Sequence, residues 1–74
     1  MYLTILQDGA VRVWSERPSK EQKYRAFMLA ETISTTHVRI VKDMWGTRHG
    51  QVMSLYDFLA CADAEKRAQS ASPQ

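Results

Sequence analysis

A chain of 74 residues, 45% hydrophobic and 24% charged, has room for one domain and no second core, and it is too apolar for an intrinsically disordered chain. Its formal charge of +2 is too small for the dense basic stripe with which a dedicated duplex-DNA binder neutralises phosphates. A single cysteine, Cys61, excludes an internal disulfide and fits a reducing, cytoplasmic setting.

The opening "MYLTILQDGAVRV" reaches an aspartate before any long apolar run, so it does not read as a signal peptide. No stretch approaches the ~20 apolar residues of a membrane helix. Asp8-Gly9 lies between two runs rich in β-branched and aromatic residues, which predicts a hairpin with a two-residue primed turn. If Gln7 and Ala10 flank that turn, Leu6 faces Val11, Ile5 faces Arg12, Thr4 faces Val13 and Leu3 faces Trp14. One face then carries Tyr2, Thr4, Leu6, Val11 and Val13, and the other Leu3, Ile5, Arg12 and Trp14.

Pro18 breaks the second strand, and Ser19 with Gln22 has the spacing of a capping box. A helix is expected from Ser19 to about Ile33, with Ala26, Phe27, Ala30 and Ile33 on its apolar side. "STTHVRIVKDMW" predicts a strand from about Thr36 to Trp45, with Val38, Ile40 and Met44 on one face and His37, Arg39, Val41 and Trp45 on the other. Gly46 and Gly50 bracket a turn, and "QVMS" returns as a short strand. Ser54 caps a last helix whose apolar face holds Leu55, Phe58, Leu59 and Ala62. Residues 1–69 form the domain and residues 70–74 a disordered tail. The expected architecture is α+β, in the order β-β-α-β-(β)-α, a small antiparallel-rich sheet with two helices packed on it.

Charge is uneven along this order. Arg12, Arg17, Lys20, Lys23 and Arg25 against Glu16 and Glu21, then Arg39, Lys42 and Arg48 against Asp43, make the centre basic. Catalytic motifs are absent: Cys61 sits among alanines in a helix, where a free thiol serves as a small packing residue. His37 and His49 have no ligand at short spacing, so neither a metal nor a catalytic pair is expected. The glycines at 9, 46 and 50 are turn glycines rather than a phosphate-binding loop, so no cofactor is expected. The chain reads as a non-enzyme.

Binding is better founded. Two helices on one sheet face leave the other face free, and with Leu3, Ile5, Trp14, Val41 and Trp45 beside Arg12, Arg39 and His37 it has the composition of an interface core. The competing arrangement buries that face under the second helix. In "WGTRHG" the glycines set turn geometry, and the tip either leaves Arg48 and His49 solvated or offers them beside Trp45 to a phosphate or an acidic surface. The expected partner-binding set is Trp14, Trp45, Arg12, Arg39, Arg48, His49, Leu3 and Ile5. A protein partner is favoured, because aliphatic residues add little to base stacking; single-stranded nucleic acid is the alternative. A homodimer through the same face is a related expectation. The size and the absence of motifs fit an accessory regulator or inhibitor of the kind phages and plasmids encode.

Overall fold

The chain reverses at Asp8-Gly9 through a loop one residue longer than the two-residue turn. In the computed structural model, which describes residues 1–70, Leu6 N–H donates to the Ala10 carbonyl at 2.8 Å and Gly9 N–H to the Leu6 carbonyl at 2.9 Å. Ala10 N–H donates to Asp8 Oδ1 at 2.9 Å, and Gly9 takes the left-handed conformation at φ 86°. That is a three-residue hairpin loop closed by a glycine bulge.

The longer loop shifts the register of β1 (Tyr2–Leu6) on β2 (Val11–Trp14) by one step. Tyr2 pairs with Trp14, Leu3 with Val13, Thr4 with Arg12 and Ile5 with Val11. A one-residue slip carries a whole strand's side chains to the other face. Leu3, Ile5, Val11 and Val13 therefore share one face, and Tyr2, Thr4, Arg12 and Trp14 share the other, which corrects the mixed faces expected from the shorter turn.

The expected helix over 19–33 does not form, so among the described residues the sheet carries one helix and not two. Its capping box does form: Ser19 N–H donates to Gln22 Oε1 at 2.9 Å and Gln22 N–H to Ser19 Oγ at 3.2 Å. The turn it starts closes with Lys23 N–H on the Ser19 carbonyl at 3.0 Å and then gives way to β3 (Ala26–Thr32). β3 lies between β1 and β4 (His37–Asp43), antiparallel to both. A central strand is covered on both sides and so reads as an unbroken apolar run. Phe27, Met28, Leu29 and Ala30 are all buried, and cross-strand pairing overrides the helical preference of these residues.

β5 (Val52–Ser54) pairs with β4 as the short return strand, and α1 (Leu55–Ser70) follows directly. Ser54 caps it, with Oγ accepting from Asp57 N–H at 3.0 Å. The helix runs through Ser70, the first residue of the expected tail; residues 71–74 lie outside the described residues. No helix among them is long and apolar enough to cross a membrane.

The five strands stand in the order β2-β1-β3-β4-β5, and α1 crosses one face, here the front. It starts beside β4, where Leu55 N–H donates to the Thr36 carbonyl at 2.7 Å. Near its other end it meets the hairpin loop at Gly9, against Ala62 and Lys66, so it runs diagonally over the sheet. Phe58 and Ala62 close the front core with Leu3, Ile5, Met28, Ala30, Val38, Ile40 and Met53, and Leu55 and Cys61 pack against it half-buried.

The back is closed differently. β2 ends beside the start of β1, and β3 begins beside its end, so residues 15–25 must travel back along β1. Thr4 and Leu29, neighbours on the back face, are fully buried, and Pro18 is buried in the crossing segment. The segment thus acts as a strap over the back of the central strands.

Candidate functional site

Three regions contain the residues expected to bind. The first is the loop from Met44 to Gly50, which folds around one carboxylate. Asp43 Oδ1 accepts from Trp45 N–H at 2.9 Å. Its Oδ2 accepts from Arg48 N–H at 3.2 Å and from the Thr47 hydroxyl at 3.3 Å, and the Arg48 guanidinium approaches it at 3.5 Å. The Asp43 side chain is fully buried, and backbone bonds from Gly46 N–H to the Asp43 carbonyl and from Gly50 N–H to the Ile40 carbonyl complete the loop. Gly46 and Gly50 both hold positive φ, so "WGTRHG" is a turn built on the residue two places before it. Its charge is internally balanced: Arg48 turns back to Asp43, which leaves Trp45, 66% exposed, and the exposed His49 at the tip.

The second region is the front face beside the diagonal helix. One helix of ~10 Å diameter spans about two strands at ~4.8 Å spacing, and α1 leaves the Trp14 end of β1 and β2 uncovered. An apolar groove of about 540 Å³ lies there. Leu3, Val11 and Val13 form its floor and Leu55 and Leu59 its wall, with Met1 and His37 among the rim residues. Val13 is 62% and Leu59 43% exposed. β2 is also an edge strand, with no partner on its outer side among the described residues.

The third region is the back. Here the Trp14 indole N–H donates to Thr4 Oγ1 at 2.9 Å, satisfying a fully buried hydroxyl, so Trp14, half-buried, helps to close the fold. Arg12 is exposed on edge strand β2, and Arg39 is exposed on β4 between Glu31 and Val52. Lys42 stands in the same row as Leu29, Thr4 and Arg12.

The expected binding residues therefore do not form one patch. Leu3 and Ile5 belong to the front core and are buried, on the face that the observed register also gives to Val11 and Val13. Trp14 stands in the row of Tyr2, Glu31 and Arg39, whereas Trp45 follows Asp43, whose partner Met28 sits at the opposite end of the sheet. The two tryptophans are thus separated along the strands as well as across them. Sequence reasoning missed Val11, Val13 and Leu59 as a shared apolar surface, since their adjacency depends on the hairpin register. Asp43 was also missed, although an aspartate just ahead of a glycine turn is a signal for side-chain capping of that turn.

Among the described residues no cluster of three His, Cys, Asp or Glu side chains is placed to hold a metal ion. The chain matches no protein-family model, no curated protein and no solved structure.

Proposed function

We propose that this protein is a small interaction module that docks on a larger protein and modulates it, and that the apolar groove beside β2 receives the partner. The observation that carries the reading is the uncovered front corner, where Val13 and Leu59 stand exposed above Leu3 in one groove. Exposed apolar side chains gathered in one concavity, beside an edge strand, are the ingredients of a protein interface. The groove takes the role first assigned to the tryptophans; Trp45 and His49 on the Asp43 loop form a separate exposed tip.

The test is affinity capture from the protein's native cells with the wild type and with a Val13→Lys, Leu59→Lys variant, both checked by circular dichroism. The wild type should retain a partner in stoichiometric amount and the equally folded variant should not. Equal capture by both would remove the groove from the interface. A dimer in light scattering that the variant dissolves would make a second copy the occupant.

A further inference from the structure

The strap and β4 bring like charges together on the back of the sheet. Lys42 lies on the back face in line with Leu29, and the capped turn at Ser19 presents Lys20 and Lys23. Partial burial first, then the charges of Lys42, Arg17 and Lys20, hold the Lys23 ammonium below the ordinary lysine range. Glu16 and Glu21 belong to the same strap, yet among the described residues the one ion pair joins Arg48 to Asp43. Four cations thus share a surface with no carboxylate in ion-pair contact. Such an arrangement costs folding energy in the free protein and gains when an anion with several charges lies across it.

Immediately after Lys23 the surface changes character. Tyr24 is 83% exposed, and with Gln7 and Arg25 it lines an open recess of about 430 Å³. Gln7 is held beside Arg25 by its N–H, which donates to the Arg25 carbonyl at 3.1 Å. A phenol face, a planar guanidinium and an amide offer stacking and edge hydrogen bonds to a flat heteroaromatic ring.

We propose that Arg17, Lys20, Lys23 and Lys42 form a phosphate-binding surface for single-stranded nucleic acid. The recess at Gln7, Tyr24 and Arg25 receives an unpaired base of the same strand. A single strand is the ligand class because its bases are free to leave the stack, while its backbone carries charges in series. An acidic peptide would use the cations and leave the ring recess without a role. Lys42 lies on the sheet face opposite the groove, and the proposal does not depend on the protein-docking reading.

The experiment is fluorescence anisotropy with labelled oligothymidylate, the matched duplex and unlabelled polyglutamate as competitor, over a salt series. The single strand should bind more tightly than the duplex, and log affinity should fall with log salt at a slope of about −3, as about four phosphate contacts require. Tyr24→Ala should weaken binding about tenfold, within the range for loss of one stacked base. Lys23→Glu with Lys42→Glu should abolish it, while Arg67→Glu on α1 leaves it unchanged. No binding at low salt, affinity untouched by Tyr24→Ala, or displacement by polyglutamate as effective as by unlabelled oligonucleotide would each overturn the proposal.

Discussion

A β-carbon placed on Gly9 would lie 2.7 Å from Cβ of Lys66 and 2.8 Å from the Ala62 carbonyl oxygen, so the hairpin loop rests directly on the backbone of α1. Gly9→Ala meets that contact and also forces alanine to φ 86°, a conformation costing ~1–2 kcal/mol without any clash. With overpacking added, the expected destabilisation is about 3 kcal/mol, a large part of the stability of so small a domain. Urea unfolding should show a lower midpoint; an unchanged midpoint would mean that the helix does not touch the loop.

Asp43→Ala should release the 44–50 loop. Trp45 N–H, Arg48 N–H and the Thr47 hydroxyl all lose their acceptor, for about 2–3 kcal/mol. Amide exchange at Trp45 and Arg48 should speed up, with little change at β1. Protection retained at both amides would show that the loop holds without the carboxylate.

The bond from Trp14 to Thr4 is open to a double-mutant cycle. Trp14→Phe leaves the buried Thr4 hydroxyl without its donor and should cost about 1–2 kcal/mol, whereas Thr4→Val removes the polar group itself. Adding Thr4→Val to Trp14→Phe should cost less than Thr4→Val alone, with a coupling of about 1 kcal/mol. Strict additivity would deny the bond.

Partial burial of Lys23 and the cations around it should oppose folding. Because the folded state lowers the Lys23 pKa, the penalty is present in full at neutral pH and is relieved as pH rises through the lowered value toward the ordinary lysine range. Lys23→Gln should therefore raise the thermal midpoint at low salt and lose part of that advantage at high salt, where repulsion between exposed charges is screened. A lowered midpoint would give Lys23 a stabilising role.

Local signals in the sequence were realised where a short-range device settles the structure. The Ser54 cap, the Ser19–Gln22 box and the reversal at Asp8-Gly9 all form, and Val38 and Ile40 face the core together. What the sequence left undecided depends on partners distant along the chain. "AFMLAET" becomes β3 because β1 and β4 lie on either side of it, and nothing within the segment separates a buried strand from a helix. The binding residues were misplaced for a related reason: one extra loop residue transfers every β2 side chain to the opposite face, so the composition of both faces follows from a single turn.

The diagonal of α1 also governs how the molecule can come into being. The helix is fastened at Thr36 near its start and at Gly9 near its end, so the first loop of the chain is finished only by its last element. Closing so long a stretch has an entropic cost that grows with the logarithm of its length, and the core contacts that offset it arrive only once Phe58 and Ala62 are seated. A leading fragment that stops short of Phe58 therefore lacks the side chains that close the front core, and loss of the final turns of α1 should be felt first at Gly9, at the far end of the sequence.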